Sequence, residues 1–416
     1  MTDKATDERP AHAFVLGWPF SNLGGVNEVV RNLVREFQDS GPLAPLVMQT
    51  AAEESTEQLA HGTPIVNLPF PTVYSKRRKL RTIFRFCLKL PRFVWQLRAL
   101  CRRYQIRVIN PHFIGLEYFP LMLFRRLGGY RGRLLLSFHG SDIRGMMQSQ
   151  GLERYLSRLL LRGSDALVPC SRDLGEEIRQ FVPECADRIV SIANGINIER
   201  FLLSSRFDLQ LPVWTKQRKI LLNVGAFEYK KGHDVLLRAF ALVRQAHPEA
   251  CLIIAGQKRE AFQATKDLLD QLGLRDAALF FSDIAHESVA GLLQSADLFV
   301  LSSRWEKGVC GEGFAMALLE AAAAGKPVVS TLTCGVTELI DHGESGLIVP
   351  SESPELLAEA IISMLNRPDE AGRQARNLHA DVAKCFNWRA AHESYLSLSG
   401  LDSLTPQGER AFVRQP

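Results

Sequence analysis

At 416 residues the chain is too long for one ordinary core, so two domains are expected. Its composition, 46% hydrophobic and 23% charged, is that of a soluble globular protein, and no apolar run reaches the ~18–20 residues that a membrane span needs. Net charge is +5, and its distribution is more telling than its total. Residues 1–10 are polar and mixed in charge, and read as neither a signal nor a transit peptide. Eight scattered cysteines, with no Cys-x-x-Cys spacing, point to free thiols in a reducing cytoplasm.

Apolar runs alternate with amphipathic segments along the chain, the pattern of parallel α/β architecture. Residues 13–16 read as a first strand, followed by a loop with Gly24-Gly25 and a helix over 26–37. Further strands are expected at 43–47, 106–110, 134–138, 166–169 and 188–192. Residues 202–217 lack helical periodicity and read as a linker. The pattern then restarts, with strands expected at 220–224, 250–255, 279–282, 298–301, 327–330 and 347–349. The expected division is therefore 1–201, a linker at 202–217, 218–385, and a final helix and tail at 386–416. Two Rossmann-like doubly wound halves facing one another would place a cleft at the carboxyl ends of both sheets.

Residues 76–103 depart from the rest. They hold Lys76, Arg77, Arg78, Lys79, Arg81, Arg85, Lys89, Arg92, Arg98, Arg102 and Arg103 and no acidic residue. Leu80, Ile83, Phe84, Cys87, Leu90, Val94, Leu97 and Cys101 recur at helical spacing and are expected to pack on the sheet. Pro91 should kink or split this helix. The basic face is either solvated or held at an anionic membrane surface, where each nearby Lys or Arg is worth ~1 kcal/mol. No aromatic platform accompanies the charge, so a nucleic-acid partner is not expected.

Several short motifs carry chemistry. Gly24-Gly25 sits between a strand and a helix, where glycine permits a tight turn or close approach to an anion. His139-Gly140-Ser141-Asp142 follows a strand at the sheet's carboxyl edge. His139 could donate a hydrogen bond to a sugar hydroxyl or a developing oxyanion, with Asp142 orienting it or contacting a sugar; a loop histidine beside an Asx turn is the plainer alternative. His112, after Asn110-Pro111, is a weaker candidate that supports the site wall. In Gly225-Ala226-Phe227-Glu228-Tyr229-Lys230-Lys231-Gly232 either lysine could face a diphosphate or only solvent, and the spacing favours Lys231. No metal-ligand spacing occurs, so lysine and helix amides are expected to balance phosphate charge without a divalent ion.

The most informative stretch is Glu312-Gly313-Phe314-Ala315-Met316-Ala317-Leu318-Leu319-Glu320, followed by Ala321-Ala322-Ala323-Ala324-Gly325-Lys326-Pro327-Val328-Val329. Gly325 ends a helix and Pro327 precedes a buried strand. On one helix the two glutamates would lie ~12 Å apart along the axis. That is wider than the ~5–9.5 Å of a glycosidase carboxyl pair. The spacing suits two grips on one long ligand, with the amides of Gly313, Phe314 and Ala315 offering an anion site between them. A sugar nucleotide has that shape.

Together these residues resemble the retaining glycosyltransferases of the GT-B fold, specifically glycosyltransferase family 4. The Glu-x7-Glu motif carries the resemblance furthest, with Asn194-Gly195-Ile196-Asn197, Lys231-Gly232, Gly335-Val336-Thr337-Glu338 and Gly343-Glu344-Ser345-Gly346-Leu347 in matching order. The resemblance implies that Glu320 holds the donor ribose and Glu312 the donor sugar. It further implies that Gly313, Phe314 and Ala315 amides meet the diphosphate and that Lys231 neutralises it. Gly25 would approach the phosphate from the other domain, and His139 would contact the sugar near the reacting carbon. The leaving diphosphate would help deprotonate the acceptor on the same face, retaining configuration, and the helix around 388–397 would brace the first domain.

One departure stands out: the family often has arginine after the glycine at 225, where this chain has Ala226. Lys230 would have to supply that second charge. The approach to the first glutamate, residues 304–311, is also longer than usual. The expected activity is metal-independent transfer of a hexosyl unit from a nucleotide sugar to a glycan or lipid-linked glycan, in polysaccharide biosynthesis. The protein would be cytoplasmic and peripheral on the cytoplasmic membrane face. Alternatives are a catalytically silent sugar-nucleotide-binding scaffold of an assembly complex, or a sucrose-type or trehalose-type synthase or epimerase on the same fold.

Overall fold

A computed structural model describes residues 9–22, 24–59, 62–75, 79–202, 211–215, 217–284, 286–306, 309–310, 313–333 and 335–400. The chain forms two compact units, Met1–Gly195 with Trp388–Pro416, and Ile196–Asn387. The boundaries at 195 and 387 thus stand beside sequence expectations of 201 and 385. The shift has a local cause: Ile196 N donates to Phe386 O at 2.8 Å, pairing the chain where it enters and leaves the second unit.

The first unit is built on β1 (Ala11–Leu16), β2 (Ala44–Thr50), β3 (Ser55–Gln58), β4 (Pro64–Leu68), β5 (Val108–Pro111), β6 (Arg133–Phe138) and β7 (Ala166–Pro169). They form one sheet in the order β3-β4-β2-β1-β5-β6-β7, parallel except for β3 against β4. Central strands such as β1 are buried throughout, because helices cover both faces. Those helices are α1 (Gly25–Asp39), α2 (Lys79–Arg103), α3 (Phe119–Leu127), α4 (Ser141–Gln148), α5 (Gly151–Gly163) and α6 (Arg172–Phe181). Val29, Val30, Leu33, Val34 and Phe37 line one side of α1 at three- and four-residue spacing and join the core.

The second unit opens with α7 (Ile198–Leu202) and the strands β8 (Lys219–Val224), β9 (Ala250–Gly256), β10 (Ala278–Ser282) and β11 (Leu298–Leu301). A small hairpin of β12 (Trp305–Glu306) and β13 (Val309–Cys310) precedes β14 (Val328–Thr331) and β15 (Leu347–Val349). The main sheet runs β10-β9-β8-β11-β14-β15, all parallel. Its helices are α8 (His233–Ala246), α9 (Phe262–Gln271), α10 (His286–Ser295), α11 (Met316–Ala323), α12 (Val336–Leu339), α13 (Pro354–Asn366) and α14 (Pro368–Cys385). The last helix, α15 (Trp388–Ser397), belongs to the first unit. There Trp388, Ala391, Tyr395 and Leu396 enter the α1 core, and Tyr395 OH shares a 2.9 Å hydrogen bond with Ser137 Oγ on β6.

Four sequence expectations need correction. Residues 188–192 form no strand; they touch β7 through a lone bridge at Ile189 and two backbone bonds, after a 3-10 turn over Pro183–Arg188. Strands β3 and β4 were not expected, because β3 is wholly exposed and β4 begins with proline, which hides both patterns. Helix α2 runs unbroken through Pro91. Its core face is Phe86, Phe93, Leu97 and Leu100, while Leu80, Phe84 and Cys87 of the expected stripe are exposed. Lys76, Arg77 and Arg78 lie outside the described residues. The cysteines at 87, 101, 170, 185, 251 and 385 are free thiols.

Trp388 is buried among α1 core residues, so Trp388→Ala should destabilise the first unit by ~3–5 kcal/mol through the cavity it leaves. Urea unfolding checks this, and an unmoved midpoint would show that α15 does not hold the α1 core.

Candidate functional site

In the second unit the strand order reverses between β8 and β11, and in open parallel sheets that switch point is where ligands bind. The loops leaving these strands are held together by backbone contact. Gly232 adopts a left-handed φ of 64°, and a Cβ there would lie 2.0 Å from Ser302 O, so only glycine fits. Ser302 Oγ donates to Lys231 O at 2.9 Å, and Arg304 N donates to Lys230 O at 2.9 Å. On the other side a Cβ on Gly256 would meet Gly225 O at 1.9 Å. The 225–232 loop is therefore clamped between β9 and the β11 loop.

Two cations converge at the start of α8. The Lys231 stem lies across Gly225, where a Cβ would meet its Cδ at 3.4 Å. Burial, then the charges of Lys231 and Arg304, push the His233 imidazole down to about 3. That ring is therefore neutral; its Nε2 faces Asn223 Oδ1 at 3.1 Å and its buried Nδ1 has no partner. Lys230 is engaged differently: its Nζ lies 2.8 Å from Glu228 Oε2, so a local carboxylate already balances it. The expected stand-in for the missing arginine at Ala226 is thus ion-paired. Arg304, which the sequence reading passed over, brings a guanidinium beside Gly232. It pairs with Asp234 and lies 3.8 Å from Glu352, while its buried Nε has no hydrogen-bond partner.

Helix α11 begins at Met316, so Gly313 and Phe314 precede it. Ala315 is its N-cap residue, with Leu319 N donating to Ala315 O at 3.1 Å. Phe314 is buried with its ring 5.9 Å from that of Phe386, and Gly313 is half-buried. Glu320 lies one helical turn inside α11 and is buried, whereas Glu312 lies outside the described residues. Gly325, at φ 66°, closes the helix, with Lys326 N donating to Ala321 O at 3.0 Å in a Schellman pattern.

In the first unit the corresponding reversal falls between β1 and β5. The β1–α1 loop is fixed by Asn27, which accepts from Trp18 Nε1 at 2.5 Å and donates to Pro19 O and Phe20 O. Gly24 takes a φ of 151°, and a Cβ on Gly25 would meet open space. The turn accounts for the first glycine; no protein atom accounts for the second. Across the crevice, Phe113 holds a left-handed φ of 62° and stacks edgewise on Trp18 at 5.4 Å. Glu117 lies beside Gly17, its carboxyl raised by burial. Strain at a bulky residue and a half-buried acid are functional signals, but neither leaves a mark in the sequence pattern.

His139 ends in a chain of buried polar groups. Asn110 Nδ2 donates to Leu135 O and Ser137 Oγ, so its Oδ1 must be the atom facing His12 Nε2 at 3.3 Å and His112 Nε2 at 3.2 Å. Both imidazoles therefore carry their proton on Nε2, leaving His112 Nδ1 to accept from His139 Nε2 at 3.1 Å. The remaining His139 nitrogen, Nδ1, is an acceptor. In this tautomer the neutral ring presents an acceptor at Nδ1, whereas donation was the sequence expectation. Asp142 does not orient the ring: it accepts from the amides of Ile114, His139, Gly140 and Ile143, the Asx-turn alternative. Among the described residues no His, Cys, Asp or Glu group is arranged to hold a metal, and no helix is long and apolar enough to cross a membrane.

Comparison with known proteins matches each unit to a family model. Residues 23–200 match the model described as Glycosyltransferase Family 4, and residues 207–379 the one described as Glycosyl transferases group 1. The chain belongs to the GT-B glycosyltransferases of family 4. A glycogen synthase of Mycobacterium tuberculosis is 31% identical over 230 residues, 55% of this chain and 52% of that protein. The chain spans about half the length of the curated relatives it matches. Sucrose-phosphate synthase of Thermosynechococcus elongatus shares the fold, with a TM-score of 0.74 and 22% identity over 95% of this chain and 100% of that one. Alr3699/HepE of Anabaena, solved with UDP and glucose, superposes with a TM-score of 0.73 and 18% identity, again over 95% and 100%.

The buried histidines of this family member set a pH dependence. Burial pushes His12 down to about 3 and His139 to about 4. Below the ordinary value of ~6.5 the unfolded chain binds protons that the folded chain refuses, so stability falls as pH drops from 6.5 toward 4. Each such histidine adds up to ~1.4 kcal/mol per pH unit in that window. His12→Gln should flatten the slope of urea midpoint against pH; an identical slope would remove His12 from the account.

Proposed function

We propose that this chain is a retaining glycosyltransferase that moves a hexosyl unit from a nucleotide-diphosphate sugar to a hydroxyl of a glycan or lipid-linked glycan, with no required metal ion. The observation carrying the reading is the clamped crevice between β8 and β11, where the Lys231 stem lies across Gly225 beside the neutral His233 at the start of α8. A leaving diphosphate needs such fixed positive charge in place before the reaction begins. Family membership and the glycogen synthase relative support donor chemistry of this kind.

In this reading Lys231 meets the diphosphate, with Gly313, Phe314 and Ala315 amides nearby, and Glu320 accepts hydrogen bonds from the ribose. Glu312 takes hydroxyls of the sugar. The anomeric carbon–phosphate bond breaks as the acceptor oxygen bonds to the same face, and the acceptor's proton passes to the departing diphosphate. Configuration is then retained without a carboxylate nucleophile. In the N-terminal unit, His139 Nδ1 accepts a hydrogen bond from a substrate hydroxyl. A synthase acting on a small sugar phosphate is the second reading, favoured by the fold shared with sucrose-phosphate synthase. Nucleotide release with a glycan acceptor, compared with release with a sugar phosphate, separates the two; release with neither leaves a sugar-nucleotide-binding scaffold.

Glu320→Ala should weaken binding of the cognate donor, found by a thermal-shift panel of UDP-, GDP- and ADP-sugars, by ~1.5–3 kcal/mol per lost charge-assisted bond. Unchanged affinity by calorimetry would withdraw the ribose assignment. Transfer should also persist in excess chelator, whereas complete loss restored by magnesium would contradict the metal-free mechanism.

A further inference from the structure

Helix α2 is buried along one side and bare along the other. Opposite its core face, Leu80 is 85% exposed, Phe84 66%, Leu88 65% and Trp95 71%. At roughly 100° per residue these four fall within an arc of about 80°. Arg81, Arg85, Lys89 and Arg92 fill the neighbouring arc of about 80°, by the same geometry. All four cations are exposed, and none is paired with another described residue. Single exposed apolar residues need no explanation, but a continuous stripe of four large ones does.

The chemistry of the two arcs identifies what covers them. Residues 76–103 contain no carboxylate, so the face repels cations and attracts an anionic partner. Large apolar side chains, one an indole, beside a row of cations describe a helix lying in the plane of lipid headgroups. The polypeptide enters α2 after the carboxyl end of β4 and leaves it before the amino end of β5. The apolar end of α2 therefore belongs to the sheet edge that also carries Gly24 and His139.

We propose that α2 seats the N-terminal unit on an anionic bilayer surface, with Leu80, Phe84, Leu88 and Trp95 inserted among acyl chains and Arg81, Arg85, Lys89 and Arg92 at lipid phosphates. The inference goes beyond sugar transfer and does not depend on which sugar moves. The expectation from sequence was electrostatic attraction alone; the exposed stripe adds insertion, so binding should survive salt that screens the cations.

The test is co-sedimentation of the full chain with vesicles of phosphatidylcholine alone or with phosphatidylglycerol. The native chain should bind the anionic vesicles, and brominated lipid should quench a fluorescence component that is missing in Trp95→Phe. Combined Leu80→Ser, Phe84→Ser and Leu88→Ser should lower partition by about tenfold or more. Combined Arg81→Glu, Arg85→Glu and Lys89→Glu should abolish the preference for anionic lipid. A native chain left in the supernatant with both vesicles overturns the proposal, as does a serine variant that binds like the native chain. So does vesicle-free dimerisation that the serine changes disperse, since the face would then meet a second copy. The assay contains no sugar nucleotide, so its failure leaves the transferase reading standing.

Discussion

The backbone contact between the β8 and β11 loops is the constraint on which the second unit's site depends. With Gly232 against the Ser302 carbonyl and Gly256 against that of Gly225, the 225–232 loop packs against both neighbours with no room for a side chain at either glycine. The positive groups at the head of α8 are consequently held in place before any ligand arrives. Preorganisation of this kind is what makes fixed charge effective, because no reorganisation is needed when phosphate charge develops. It also explains why Lys230 and Lys231, adjacent in sequence, are used differently: one meets Glu228, the other lies across Gly225.

The first unit uses the same architecture with different chemistry. Among the described residues its switch point is lined by rings and an acid. A run of neutral imidazoles, fixed by the Asn110 amide, determines which nitrogen of His139 is presented. The cost of burying three imidazoles together is met by keeping them uncharged and hydrogen-bonded. Because Asn110 has only one orientation compatible with the Leu135 carbonyl, a side chain on β5 controls a ring at the end of β6.

Helix α2 shows how a single amphipathic reading can fail. Its sequence holds enough apolar residues for two stripes, and a helical repeat alone does not say which one faces the sheet. The core selected Phe86, Phe93, Leu97 and Leu100, leaving the Leu80 and Phe84 side bare next to the cations. Pro91 fits because it lies on the exposed side of the helix, away from the packed face.

Much of the architecture was legible from the residues alone. Strands of β-branched and aliphatic runs, the Gly325 stop before Pro327, and the glycine-led loops declare themselves through local sterics and period. So did the two-lobed plan and the family, through motifs such as Glu-x7-Glu and Lys231-Gly232. Charge balance and protonation were not legible, because they depend on neighbours distant in the chain. Arg304 lies some seventy residues beyond the lysine loop it joins, and His139 takes its tautomer from groups as remote as Asn110 and His12. Residue types and spacing set which elements form; which side chains share a space, and in what ionic state, was decided only when the sheets assembled.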